Sequence, residues 1–216
     1  MVLGPCIEST SIQFCIMCIG SEPVPRKTAT LARQRDLLAR GYTSRSIATA
    51  VEHGALERVS RGLYRVTAAE DRITEKHTYV QVAKLVPQGV YCLISALAFH
   101  ELTVENNWKM QIALPRPAHE PKVDLVPVEY FHLSEQPYRT GIEVHQVEGA
   151  TVKVYSPAKT VADLFKFRNR YGTDLAIEAL REVWRKKRAT TKELTECAKV
   201  CRVEKVMRPY MEAVIW

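Results

Sequence analysis

Hydroxyl, guanidinium and imidazole side chains recur at helical spacing between Gly41 and Gly54. Such groups donate to or accept from base edges and phosphate oxygens, and no large apolar residue lies among them. The candidate DNA-binding residues in this stretch are Ser44, Arg45, Ser46, Thr49 and His53. The chemistry predicted here is therefore non-covalent recognition of a nucleic acid.

The spacing of this stretch predicts one short helix. A hydroxyl from Thr43 or Ser44 can cap its first turn, and Gly54 can supply the positive φ that ends it. Ile47, Ala50 and Val51 recur at i, i+3 and i+4 and commit one face of the helix to a core. The opposite, polar face of the helix is therefore expected to face solvent.

A tight hairpin is predicted directly after this helix. Two β-prone runs, Leu56–Val59 and Leu63–Val66, flank Ser60-Arg61-Gly62, in which glycine provides a positive φ. Its candidate phosphate or minor-groove contacts are Arg58, Arg61 and Arg65. A helix followed by a basic hairpin is typical of a winged helix-turn-helix. The alternative is a helix-hairpin piece of some α+β protein whose arginines only keep it soluble.

The preceding residues are expected to form the supporting helix of this domain. Leu31, Leu37 and Leu38 make an apolar stripe over Thr28–Arg40, and Gly41 ends it. We therefore assign residues 28–66 to a winged helix-turn-helix domain and residues 1–27 to a poorly defined leader. The apolar run in the leader is too short to span a bilayer and follows no basic residue, so we expect a cytoplasmic protein.

The rest of the chain predicts a larger α+β domain over residues 74–216, after a linker at 67–73. Its sheet is expected to be mixed or antiparallel, because four β-prone runs follow one another between prolines and glycines. Val90–Leu97 is either a buried strand turning into a helix or a buried helix throughout. The predicted strands are 108–114, 126–133, 141–147 and 151–155, and the predicted helices are 74–86, 156–167, 172–187, 191–201 and 203–214.

No catalytic residue, metal site or cofactor is expected. The motif SPAKTVAD, which begins at Ser156, offers groups that could do chemistry, but it reads better as a capped helix start. The histidines at 100, 132 and 145 are interpreted as structural because they have no coherent ligand spacing. Cys15-x-x-Cys18 has no second pair at zinc-finger spacing.

Positive charge is concentrated in two blocks. Residues 28–66 carry 7 basic and 3 acidic side chains and residues 166–208 carry 13 and 6, whereas residues 67–165 carry 9 and 12. A partner that bears phosphates is the natural inference. In the second block, the cluster Arg181, Arg185, Lys186, Lys187 and Arg188 is a candidate nucleic-acid or partner surface, with a solvated helix end as the alternative.

Four segments in order resemble the AbiEi family of antitoxins and transcriptional regulators. They are RQRDLLARGYTSRSIATAVEHGALERVSRGLYRV, VPQGVYCLISALAFHELT, VYSPAKTVADLFKFRN and VEKVMRPYMEA, within residues 31–214. The resemblance implies an N-terminal winged domain that represses its own operon and a C-terminal domain that neutralises a toxin. It places the reading helix on Ser44–His53 and the wing on Arg58–Arg65.

The same resemblance implies two partners, operator DNA and a toxin of the AbiEii nucleotidyltransferase type. The pair would be a type IV toxin-antitoxin system linked to phage defence, in which no stable complex with the toxin is required. Two alternatives are a regulator without a toxin and a winged nuclease. The nuclease would need a metal-binding E-x-K, and Glu143 is followed by Val-His instead.

Overall fold

The computed structural model describes residues 31–67, 76–105 and 108–215. The predicted leader at 1–27 and all but Thr67 of the predicted linker at 67–73 lie outside these residues. The chain divides into two compact units, Met1–Thr74 and Glu75–Trp216. Together the described residues form ten helices and two sheets, so the predicted α+β class is confirmed. No helix among them is long and apolar enough to cross a membrane.

The first unit is a small helix-turn-helix with a three-stranded sheet. Its elements are β1 (Leu31–Arg33), α1 (Gln34–Ala39), α2 (Ser44–Glu52), β2 (Leu56–Ser60) and β3 (Leu63–Val66). The strands lie in the order β1-β3-β2 and both pairings are antiparallel. The hairpin therefore forms as predicted, and β1 adds a third strand to it.

The prediction of one helix over Thr28–Arg40 is wrong for Leu31–Arg33, which form β1. These residues pair with β3, with Leu31 opposite Arg65. An edge strand of a two-stranded hairpin has unpaired backbone groups, and pairing with β1 satisfies them. The leucine stripe is also incomplete, because Leu38 is 43% exposed whereas Leu31 and Leu37 are buried.

Helix α2 begins and ends as predicted. Thr43 is its N-cap, and its hydroxyl accepts a hydrogen bond from the Ser46 amide at 3.1 Å. At the other end Gly54 has φ +72°, and the Ala55 amide donates to the Ala50 carbonyl at 2.9 Å. Helix α2 therefore has a fixed start, end and rotation.

A small apolar core holds the first unit together. It consists of Leu37 on α1, Ile47 and Ala50 on α2, Leu56 on β2 and Tyr64 on β3. All five are buried. Because α2 supplies two of them from one side, its opposite side faces outward.

The second unit is built on a five-stranded sheet. Its strands are β4 (Val90–Tyr91), β5 (Met110–Pro115), β6 (Val128–Leu133), β7 (Ile142–Val147) and β8 (Ala150–Tyr155). They lie in the order β6-β5-β4-β8-β7. Strands β4 and β8 are parallel, as are β5 and β6, and the other two pairings are antiparallel. Of the two predicted forms, the sheet is therefore the mixed one.

Eight helices complete the second unit. They are α3 (His77–Leu85), α4 (Leu93–Phe99), α5 (Glu135–Arg139), α6 (Pro157–Lys166), α7 (Arg168–Tyr171), α8 (Thr173–Arg185), α9 (Thr191–Cys201) and α10 (Glu204–Ile215). The ambiguous segment Val90–Leu97 is a buried strand that turns into a helix. Helices α5 and α7 were not predicted, since each is too short for a periodic pattern.

Helix α6 lies at the centre of the second unit and contains a buried ion pair. Lys159 Nζ lies 2.5 Å from Asp163 Oδ2, and the two residues are 0% and 1% exposed. Burial by itself lowers the pKa of Lys159, but Asp163, together with Cys201 and Cys92, outweighs burial, so the net pKa is raised. Cys201 on α9 adds a contact from its Sγ to Asp163 Oδ1 at 3.3 Å. The lysine therefore stays charged inside the core.

This arrangement supports the structural interpretation of the SPAKTVAD motif. The Ser156 hydroxyl accepts from the Lys159 amide at 3.3 Å, and the Thr160 hydroxyl donates to the Ser156 carbonyl at 2.9 Å. Gly141, at φ +71°, lies so close that a Cβ there would meet the Cβ of Lys159 at 2.7 Å. The motif therefore fixes α6 against the loop before β7.

We expect Asp163→Asn to destabilise the protein by about 3–5 kcal/mol, because it leaves the Lys159 ammonium buried and unpaired. Urea unfolding measures this loss. Glu135→Gln is the matched control, since the pair Glu135–Arg139 is about three-quarters exposed and is expected to contribute at most about 1 kcal/mol. Equal effects of the two substitutions would contradict a charged, buried pair.

Candidate nucleic-acid interface

The outward side of α2 presents Arg45 with small neighbours. Arg45, Ser44 and Ala48 are exposed, and Thr49 is half-buried beside them. Within the described ranges, Arg45 forms no ion pair with a carboxylate. His53 is exposed at the C-cap of the helix. A guanidinium flanked by small side chains can approach the floor of a DNA groove without obstruction.

Ser46 has a structural role that the sequence prediction did not assign. Its hydroxyl accepts from the Thr43 amide and donates to the Thr43 carbonyl, both at 2.9 Å. With the bond from the Ser46 amide to the Thr43 hydroxyl, these contacts form a capping box. If Ser46 were to donate to a base, its hydroxyl would have to give up its bond to the Thr43 carbonyl, so we assign it to the helix start.

The three predicted wing arginines do not form one surface. In the register of the hairpin, Arg58 lies opposite Tyr64 and Glu57 lies opposite Arg65. Because side chains alternate along a strand, Arg58 is on the sheet face of Tyr64 and α2, and Arg65 is on the other face. Arg61 is exposed in the turn between the strands.

Arg65 is also committed to an ion pair. Its Nε and one terminal nitrogen donate to Glu57 Oε2 at 3.0 and 2.5 Å. Arg58 and Arg61 form no ion pair with any carboxylate of the described residues. The wing therefore offers two cations to a phosphate backbone, and Arg65 instead bridges its two strands.

In the second unit, the predicted basic cluster lies at the end of α8 and is partly neutralised. Arg185 donates to both carboxylate oxygens of Glu182 at 3.0 and 2.7 Å. Lys186 Nζ donates to the Glu101 carbonyl at 2.6 Å. The remaining cluster members, Arg181, Lys187 and Arg188, are exposed and form no ion pair within the described chain. Three of the five cations therefore remain for a partner.

The structure brings together three side chains that the sequence analysis kept apart. His100, at the C-cap of α4, lies beside Glu143 and His145 on β7. His100 is almost fully buried and its Nε2 lies 2.9 Å from the Tyr155 carbonyl. Burial lowers the pKa of His100, and the Tyr155 and Glu143 oxygens oppose it only in part. The i, i+2 spacing of Glu143 and His145 places them on one face of a strand, a signal that was available in the sequence.

His132 matches its predicted structural role more closely. Its Nε2 lies 3.2 Å from the Ala118 carbonyl and its Nδ1 lies 3.7 Å from Glu120. It is not part of any group of three ligand-type side chains in the residues that the structure describes.

The first unit has the parts of a DNA-binding domain. A helix-turn-helix whose second helix has a polar outward side, followed by a basic hairpin, defines the winged class. Residues 26–67 match the family model described as "Transcriptional regulator, AbiEi antitoxin". The predicted resemblance to this family is thereby confirmed, over a segment that includes α1, α2 and the hairpin.

A comparison with a solved structure supports the fold over most of the chain. The chain is similar to the RV2827C protein from Mycobacterium tuberculosis, whose crystal structure aligns with a TM-score of 0.53 at 10% identity. The alignment covers 87% of this chain and 77% of that chain. At this identity the likeness concerns the fold alone. No curated protein matches the chain.

We expect Arg45→Ala to weaken binding to DNA from the protein's own promoter by about 1–3 kcal/mol, with a smaller effect on scrambled DNA. The reason is that a base contact carries sequence information and a phosphate contact does not. Fluorescence anisotropy on both DNAs measures the difference. Arg139→Ala, which removes an exposed arginine of the second unit, is the control. Equal losses on both DNAs for Arg45→Ala would argue against base reading.

Arg61→Ala is expected to weaken binding to both DNAs evenly and to lower the slope of log K against log salt concentration by about 1. The loss of one phosphate contact releases one counterion fewer. A titration across several salt concentrations provides the slope. An unchanged slope with weakened binding would mean that Arg61 does not contact phosphate.

Proposed function

We propose that the protein is a DNA-binding autorepressor and the antitoxin of a type IV toxin-antitoxin system. The observation that supports DNA binding is the exposed Arg45, which forms no ion pair among the described residues, on a capped helix next to a basic hairpin. The match of residues 26–67 to the AbiEi transcriptional regulator and antitoxin model supports both parts. Such a protein would work in the cytoplasm, where the operator is.

In this proposal α2 enters the major groove of the operator. Arg45 donates to a base edge, since bidentate arginine–guanine contacts are the commonest specific ones. Thr49 lies one turn further along and offers a hydroxyl or methyl contact. Ser44 and His53, at the two ends of the helix, would contact flanking phosphates. This arrangement reads a short site, as expected for one module.

The wing adds affinity without sequence preference. Arg58 and Arg61 would hold a phosphate strand or the edge of a minor groove, because each is exposed and unpaired among the described residues. Arg65 and Ser46 make hydrogen bonds within the domain. Arg65 therefore stabilises the wing, and Ser46 stabilises the start of the helix. Binding of this kind weakens steeply with salt.

Neutralisation of the toxin is assigned to the C-terminal domain that the sequence predicts over residues 74–216, which corresponds to the second unit, Glu75–Trp216. The toxin that it opposes would be a nucleotidyltransferase of the AbiEii type, and neutralisation would not require a stable complex. The exposed cations Arg181, Lys187 and Arg188 are the proposed contact surface for a nucleic acid or partner. Glu182 neutralises part of the charge of Arg185 and Lys186, so these two residues are minor contributors.

Two sets of substitutions in the full chain test the division of labour. We expect Arg45→Ala with Arg61→Ala to release a reporter placed behind the protein's own promoter while growth rescue from the co-expressed neighbouring toxin gene is retained. The double variant Lys187→Glu with Arg188→Glu should lose growth rescue and keep repression of the reporter, because these charges are in the other unit. Reporter activity and colony counts are the measurements.

The same experiment separates the alternative of a regulator without a toxin. That alternative is favoured if the wild-type chain represses the reporter but does not restore growth in the presence of the neighbouring gene product. Loss of both activities in both double variants would contradict the assignment of one activity to each unit.

A further inference from the structure

The cluster of His100, Glu143 and His145 has the composition of a transition-metal site. One ligand atom from each residue lies within 4.8 Å of the other two. Glu143 Oε2 is 3.2 Å from His145 Nε2 and 3.9 Å from His100 Nε2. Two imidazoles and one carboxylate are a ligand set that suits zinc and its neighbours among the divalent metals, whereas calcium and magnesium prefer oxygen ligands alone.

Two of the three ligand separations are close to what a tetrahedral ion requires, and the third is within 4.8 Å. Bonds of 2.0–2.2 Å to zinc place neighbouring ligand atoms about 3.3 Å apart. The Glu143–His145 separation already has this value, and the His100–Glu143 separation exceeds it by roughly half an ångström. A rotation of the half-exposed Glu143 side chain would close the difference, because Glu143 is not held by burial.

The surroundings fix the ligands unequally. His100 is held in the interior, and the ring of Phe99 packs against both His100 and His145 with centroid distances of 5.6 and 4.9 Å. His145 and Glu143 are 35% and 41% exposed at their side chains, so an ion can enter from solvent. The site therefore combines an anchored ligand with an open side.

The hydrogen bond between His100 Nε2 and the Tyr155 carbonyl would have to be exchanged for the bond to the ion. The ring hydrogen would move to Nδ1, and the ring would have to turn Nε2 away from the Tyr155 carbonyl, because an ion 2.0–2.1 Å from Nε2 does not fit into the 2.9 Å between these two atoms. The Tyr155 carbonyl would then share the hydrogen of the Thr160 hydroxyl, 3.4 Å away, with the Ser156 carbonyl at 2.9 Å. Glu143 would have to rotate as well, whereas the other ring contacts of His100 are aromatic.

We propose that His100, Glu143 and His145 bind one zinc-like divalent cation, with solvent in the fourth position. The ion would tie the end of α4 to β7, which is an edge strand of the sheet. This function is independent of DNA recognition, since all three residues belong to the second unit.

Cobalt(II) titration of the full chain tests the site directly. We expect the wild type to bind one equivalent that His145→Ala lacks, with a visible spectrum free of thiolate charge-transfer absorption. That spectral criterion separates the cluster from the six cysteines of the chain. Loss of a ligand should weaken zinc affinity at least ~10-fold, since changes of outer-shell partners alone reach that size. His132→Ala is the control and should bind as the wild type does.

Glu143→Gln is the second variant, and an unchanged circular dichroism spectrum verifies that each variant folds. We expect excess zinc to raise the unfolding temperature of the wild type and of His132→Ala but not of Glu143→Gln. Cobalt binding that is equal in the wild type, His145→Ala and Glu143→Gln, or that has only thiolate character, would overturn the proposal.

Discussion

The reading surface of this protein depends on the burial of one side of α2. Ile47 and Ala50 pack with Leu37, Leu56 and Tyr64. Burial of an isoleucine side chain contributes about 1.5–3 kcal/mol to the free energy of folding. That packing sets the rotation of the helix, and the capping box at Thr43 and Gly54 set its ends. The direction of Arg45 is a consequence of these constraints, and no contact of its own is needed to fix it.

The second unit is organised around a buried ion pair. Its central helix α6 buries three polar residues, Lys159, Thr160 and Asp163, and the lysine and the aspartate neutralise each other inside the core. Buried pairs of this kind gain little stability over apolar residues but are costly to break. The pair, together with the close approach of Gly141, specifies how α6 sits on the loop before β7.

Local signals predicted most of the fold. The reading helix was predicted because its cap, apolar face and glycine stop agree, and the start of α6 was predicted from Ser156-Pro157. The sequence did not indicate β1, because its strand state comes from pairing with β3 across thirty residues of chain. Nor did it decide the order of the five-stranded sheet, which depends on contacts between distant segments.

In the candidate sites as well, local features were predictable from the sequence and contacts between distant residues were not. The exposure of Arg45 follows from helical periodicity. The ion pair between Arg185 and Glu182 follows from their i, i+3 spacing, but a count of charges does not take spacing into account. The separation of Arg58 from Arg65 required the register of the hairpin. The meeting of His100 with Glu143 and His145 required the tertiary fold, because 43 positions separate the first two in the sequence.

The central claim is that the outward side of α2 contacts bases, and site-specific photo-crosslinking tests it most directly. Ala48 is exposed on that side, so a crosslinking side chain placed there should join to bases of the protein's own promoter. The same side chain at the exposed Glu196 on α9 is the comparison. Crosslinks at position 48 that map within a single short site are the predicted result. Intact DNA binding with no crosslink at position 48 would contradict the account.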